Sequence, residues 1–220
     1  MFRKLVSASL TLATAVGLQV ANAPGGTAAS GGGCNVQGTA NLTPGLNNSA
    51  QPFTYTFSGG LSGCRSTDAT APATGGIGAG QMYQAVTSSG PDPVNPLVTI
   101  THTEHFYEPV ATGNGGCANS TTAGVAFITW ADNTITLINY KTSGALAAVA
   151  LQGSVINSIA LSAPDHLYTW EPTSLTVTTT RYGGATANAA LAFQPPDPTA
   201  CNTPGGVTVA GISGAAVLNQ

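Results

Sequence analysis

The 220-residue chain carries 5 basic and 8 acidic residues, and only 6% of it is charged, against roughly 25% in ordinary soluble domains. Nucleic acids and anionic lipid surfaces are bound through basic faces, and this composition supplies none. Intrinsic disorder is excluded too, because disordered chains combine low hydrophobicity with high charge and this one is 42% hydrophobic.

Residues 1–23 read as a signal peptide. Arg3 and Lys4 precede a mostly apolar run from Leu5 to Val16, and Ala21-Asn22-Ala23 has the small-x-small pattern that signal peptidase cuts after. The run is shorter than the roughly 20 apolar residues a bilayer requires, and Pro24-Gly25-Gly26 would break a helix at once. No later stretch reads as a transmembrane helix. Cleavage leaves Arg65, Lys141 and Arg181 against eight acids. Residues 24–33 then form a flexible Gly-rich lead-in, and residues 34–220 a single domain.

From there the pattern is repeatedly of period two. Phe53, Tyr55 and Phe57 alternate with Thr54, Thr56 and Ser58, the signature of a half-buried strand. Gly75 to Gly80 is glycine-rich but lacks phosphate-loop spacing, and reads as a loop or weak strand. Val125 to Trp130 is apolar on both faces, as a central strand would be, and Ala131-Asp132-Asn133 turns it into a second strand from Thr134 to Tyr140. Gly144 to Leu151 fits a buried strand or a short helix, with the strand preferred. Leu175 and Val177 alternate with Thr176 and Thr178, and Val207 and Val209 flank Thr208. Frequent Gly and Pro cut the chain into short strands. The expected fold is therefore all-β, a single antiparallel β-sandwich or closed β-barrel.

Cys34, Cys64, Cys117 and Cys201 fit an oxidising compartment. Four cysteines allow three pairings. We favour Cys34–Cys64 with Cys117–Cys201, because the first pair brackets one hairpin-rich segment. Absence of a CxxC motif argues against redox or zinc-ribbon chemistry.

The stretch CNVQGTANLTPGLNNSAQPFTYTFSGGLSGC, from Cys34 to Cys64, resembles the opening of a family of secreted, β-rich, disulfide-bonded proteins from high-GC actinobacteria. Thr129-Trp130 at a strand end and the Gly205–Gly211 stretch GGVTVAG add to the resemblance, which covers about half of the mature chain. It implies export and a β-rich domain, and carries over no catalytic residue. The segment from about Ser162 to Tyr182 lies outside it and reads as an insertion.

The nucleophile elbow, P-loop and HExxH motifs are absent. The sharpest local feature is Thr101–Glu108, THTEHFYE, which holds two of the three histidines. On a regular strand Val98, Ile100, His102, Glu104 and Phe106 share one face, placing a histidine and a carboxylate on the core side. Such pairs mark ligand sites when they are buried. The plainer alternative ends the strand near His102 and leaves a solvated rim. A metal there would need a further donor, from Asp165 or His166, and the sequence assigns no metal ligands and no cofactor. Trp130 and Trp170 either stack on sugar rings or fill core, with core packing preferred. Glu104, Glu108 and Glu171 are the candidates for paired-carboxylate hydrolysis. An outer-membrane barrel is disfavoured by the scarcity of aromatic residues.

The leading functional expectation is a secreted, non-enzymatic binding or structural protein, extracellular or at the cell envelope, whose weakly charged Thr/Asn/Gly surface suits glycans or other neutral surfaces. The alternative is a β-barrel carrier of a small apolar molecule near His102 and Glu104, with Trp130 as a further ligand contact. A secreted hydrolase stands third.

Overall fold

A computed structural model describes residues 31–220. The signal-peptide reading and most of the expected lead-in lie outside these residues. Within them the chain forms thirteen strands and one short 3-10 turn, Pro198–Asn202.

Eight strand positions close into one antiparallel barrel. β1 (Gly32–Leu46) pairs with β2 (Gln51–Ser66), and the ring continues through β3 (Gly75–Ala79), β7 (Asn119–Trp130), β8 (Ile135–Ala145), β9 (Ala148–Ile156), β12 (Thr186–Gln194) and β13 (Val207–Asn219). β13 returns to β1 in register from Gly32↔Leu218 to Asn41↔Val209, which leaves no free edge. β6 (Ala111–Gly115) lies end to end with β3. Both pair with β2 on one side and β7 on the other, so the two pieces share one position in the wall. β1 begins two residues before the expected domain start, with Gly32 and Gly33 paired on both sides.

The strands are longer than the glycine and proline content suggested, reaching 16 residues in β2. Gly38 and Gly59 sit inside strands, where an added Cβ would stand 2.6 and 2.8 Å from Phe57 Cζ. These glycines therefore make room for an inward aromatic ring instead of ending a strand.

Alternation places Val36, Ala40, Leu42, Phe53 and Leu61 inside the barrel, while Asn35, Gln37, Thr39, Asn41 and Thr54 face water. On these strands the barrel is apolar within and polar without, the reverse of a membrane-spanning barrel. No helix among the described residues is long and apolar enough to cross a membrane. Gly144–Leu151 is the tip of a hairpin, with β8 ending at Ala145, a two-residue turn, and β9 starting at Ala148. Disulfides join Cys34 to Cys64 and Cys117 to Cys201. The first ties β1 to β2. The second ties the start of β7 to the 3-10 turn before β13.

Two hairpins leave the barrel and lie on its outer face. β4 (Met82–Pro91) and β5 (Thr99–Tyr107) form an excursion between β3 and β6, and β10 (Ser158–Ser162) and β11 (Ser174–Thr178) form one between β9 and β12. Between them and the wall lies a second apolar core, in which Phe127 and Leu137 from the wall meet Phe106, Leu161 and Val177 from the hairpins. This explains why Val125–Trp130 is apolar on both faces, since Ala126 and Ile128 face the interior while Val125 and Phe127 lie under the hairpins. Phe106 and Leu137 are wholly buried, each worth about 1.5–3 kcal/mol. The segment from Ser162 to Tyr182 falls within the second excursion.

Candidate functional site

Two sites stand out, one inside the barrel and one under the hairpins. The barrel interior holds a partly open cavity of about 160 Å³. Apolar side chains dominate its lining, with Leu151, Leu191, Phe193, Ile212 and Trp130 among them. Space is left because the interior is filled unevenly. Inward side chains of one half, such as Ile128, Trp130, Ile138, Val155, Ala187 and Leu218, are buried, whereas Val149, Leu151, Leu191, Phe193 and Ile212 are only half-buried. Small inward residues on β12, Ala187 and Ala189, leave room that larger ones would fill.

A string of hydroxyls lines one side of this apolar space. Tyr55 Oη lies 2.6 Å from Tyr140 Oη and 3.1 Å from Thr122 Oγ1, which lies 2.7 Å from Thr142 Oγ1. Burial pushes both phenols above their ordinary range, for Tyr55 against the lowering effect of its two hydrogen bonds. They therefore stay neutral, as hydroxyls able to give and accept hydrogen bonds. All four line the cavity, and a few fixed polar groups in an apolar pocket are what orient a small ligand. Trp130 also lines it, buried, with its indole N–H donating to Thr136 Oγ1 at 2.9 Å. Beside the turn between β7 and β8, Arg181 donates to Asp132, Asp68 and Thr134.

His102 and Glu104 stand elsewhere. β5 runs regularly from Thr99 to Tyr107, so the strand does not end at His102. Ile100, His102, Glu104 and Phe106 do share its covered face. That face belongs to the hairpin layer outside the barrel wall, so a ligand inside the barrel does not meet His102 or Glu104. Of the three residues proposed from sequence, two converge and Trp130 is separated from them.

Glu171 completes the cluster, arriving on the loop between β10 and β11. His102 Nδ1 lies 2.5 Å from Glu171 Oε1, and His166 Nδ1 lies 3.6 Å from Glu171 Oε2. Donor atoms of His102, Glu104 and Glu171 all lie within 4.8 Å of one another. Glu171 Oε2 accepts from the N–H groups of Leu167 and Tyr168, at 2.7 and 2.9 Å. Burial alone would raise the Glu171 carboxyl, but these donors and the neighbouring His102 hold it below the ordinary range. Tyr168 stacks on Trp170 with ring centroids 5.1 Å apart and meets the His102 ring edge-on. Trp170 lies flat over Gly90 of β4, where any side chain would collide with the indole. Asp165 instead serves His105 on the other side of β5, 2.7 Å from its Nδ1, and that hydrogen bond holds the Asp165 carboxyl low.

Glu104, Glu108 and Glu171 do not flank an open cleft. Glu104 and Glu171 are buried together, leaving no passage for a sugar between them. Glu108 sits apart, against Gly78 and the backbone N–H of Gln81, where burial pushes its carboxyl up to about 7.

Compared with family models, curated proteins and solved structures, the chain matches none. Its function is therefore read from its own residues.

Proposed function

We propose that this is a secreted binding protein whose barrel carries one small, largely apolar molecule. The observation behind this reading is the 160 Å³ interior cavity, apolar but lined on one side by the Tyr140–Tyr55–Thr122–Thr142 hydroxyl string. Eight-stranded barrels have interiors just wide enough to be filled by side chains or to hold one small ligand. A dry apolar cavity of about 150 Å³ takes up benzene, so the size points to a single ring or a short branched chain. A hydroxyl or carbonyl on that molecule would find Tyr55 and Tyr140 ready to orient it. Two disulfides and a weakly charged surface support action outside the cell. The glycan-surface reading has only composition behind it, so the carrier reading takes precedence.

The test is titration of the purified protein with phenol, benzyl alcohol and indole, followed by Trp130 fluorescence and native mass spectrometry. Saturable one-to-one binding is expected, lost in Ala189→Phe, which fills the cavity, and weakened about tenfold in Tyr55→Phe, which removes one hydrogen bond. If none of the three binds and the protein secreted by its host carries no added mass, the carrier reading falls.

A further inference from the structure

We propose that His102, Glu104 and Glu171 form a binding site for a first-row divalent transition-metal ion, of the zinc or manganese type. Among the described residues, the buried side-chain polar atoms that lack a hydrogen-bond partner are His102 Nδ1, both oxygens of Glu104, His166 Nδ1, Trp170 Nε1 and Glu171 Oε1. His102, Glu104 and Glu171 supply four of these six atoms, and all four can offer a lone pair. Buried polar groups are otherwise paired almost without exception, so four such orphans in one place call for a common partner.

Glu104 sets the requirement. Its side chain is fully buried and both oxygens are unpartnered, and a buried carboxyl group is unfavourable in either protonation state unless its oxygens are paired. No lysine or arginine reaches it among the described residues. Arg181 is occupied by Asp68 and Asp132 at the barrel end, and the only basic groups paired with Glu171 are His102 and His166. Although His102 Nδ1 and Glu171 Oε1 approach to 2.5 Å, their alignment is not that of a hydrogen bond. Unpartnered carboxylate oxygens with a second carboxylate and an imidazole beside them are how donors stand around a cation. Ligand atoms around a tetrahedral ion at about 2.0–2.1 Å are roughly 3.3 Å apart; donor atoms of the three residues lie within 4.8 Å of one another, and the His102 Nδ1–Glu171 Oε1 pair, at 2.5 Å, has to open to admit the ion.

The surroundings support the same reading. Backbone N–H groups of Leu167 and Tyr168 hold Glu171 Oε2 and so aim Oε1 at the cluster, as outer-shell donors do for metal-ligating carboxylates. The Tyr168–Trp170 stack borders the site and limits its contact with water. An imidazole with two carboxylates suits zinc or manganese, while calcium and magnesium prefer all-oxygen sets. Thiolate-preferring ions are disfavoured because all four cysteines are in disulfides.

The experiment is calorimetric titration of the chelator-treated protein with Zn²⁺ and, in parallel, Mn²⁺, Ca²⁺ and Mg²⁺. One Zn²⁺ or Mn²⁺ per chain is expected, with micromolar or tighter affinity, a raised unfolding midpoint and a change in Trp170 emission. Glu104→Gln should weaken binding by about 100-fold or more while the apo protein folds as before, since it keeps the size of the side chain and breaks no hydrogen bond. His102→Asn provides the same readout if Glu104→Gln fails to fold. His105→Ala, on the exposed face, should leave affinity unchanged. The proposal is overturned if neither Zn²⁺ nor Mn²⁺ binds below millimolar concentration, or if His105→Ala abolishes binding that Glu104→Gln leaves intact.

Discussion

Trp130 and Trp170 lie in the two different parts of this molecule, and their indole nitrogens mark the contrast. Trp130 is buried in the barrel, packs edge-on against Tyr182 with ring centroids 5.6 Å apart, and donates to Thr136, which itself donates to the Arg181 carbonyl. Trp170 is held over Gly90 in the hairpin layer, and its nitrogen meets nothing. The same holds for their neighbours. Barrel hydroxyls are linked to one another, whereas the histidines and glutamates beneath the hairpins are left with open valences. The comparison suggests a division of labour, in which the wall supplies the stability and the appended hairpins hold polar groups that a self-sufficient core would not leave unpaired.

The largest test of that division is to loosen the wall. Cys117–Cys201 closes a loop with a sequence separation of 84, and Cys34–Cys64 one of 30. Loop-closure entropy gives about 4–5 kcal/mol for the first and about 3–4 kcal/mol for the second. The paired change Cys117→Ser with Cys201→Ser should therefore lower the free energy of unfolding more than Cys34→Ser with Cys64→Ser. Denaturant unfolding by far-UV circular dichroism measures both. Equal losses, or none, would mean that the wall holds without its staples.

Glu108 probes the seam between the two parts, since it follows β5 and packs against β3. Its carboxyl titrates near 7 when folded, against an ordinary 4.5, mainly because it is buried. The folded protein thus holds this proton more firmly than the unfolded chain. The resulting stability is complete below a pH of about 4.5 and is lost as pH rises through about 7. The loss above that point is on the order of 3 kcal/mol. Glu108→Gln keeps an oxygen for the Gln81 N–H and removes the charge, so it should raise stability at about pH 8 and flatten the profile from about pH 5 upward. An unchanged slope in denaturant melts across that range would place the Glu108 carboxylate in water.

The wall was more legible in the sequence than the layer on it. Alternation at Phe53, Tyr55 and Phe57 identifies β2, and the double-sided apolar run Val125–Trp130 identifies a strand covered on both faces, because both signals are local. Period two also puts His102, Glu104 and Phe106 on one face of β5. Closure of β13 onto β1, which decides barrel against sandwich, joins the two ends of the domain and leaves no mark on either strand alone. Sharing of one wall position by β3 and β6 is equally hidden, since each is only five residues long and Gly-rich. Glu171 comes from an aperiodic loop, and its partnership with Glu104 rests on how two excursions pack. The one available hint was chemical. Glu104 on a core-side face needed a partner, and His166 and Glu171 both lie in the segment that reads as an insertion.

The smallest effect sharpens the comparison most directly, because the same substitution is made on both sides. Trp130→Phe removes a buried hydrogen bond and part of a packed indole, and leaves Thr136 Oγ1 without its donor. A cost of about 2 kcal/mol is expected. Trp170→Phe removes a nitrogen that bonds to nothing, and a phenyl ring can still stack on Tyr168 and lie over Gly90. Its cost should be under about 1 kcal/mol, since removing a buried orphan donor offsets the lost contact area. Urea unfolding of the two variants side by side, in chelator, decides the matter. Should Trp170→Phe cost as much as Trp130→Phe, the hairpin layer would be as tightly coupled to the global fold as the barrel, and its unpaired groups would need a structural account in place of a chemical one.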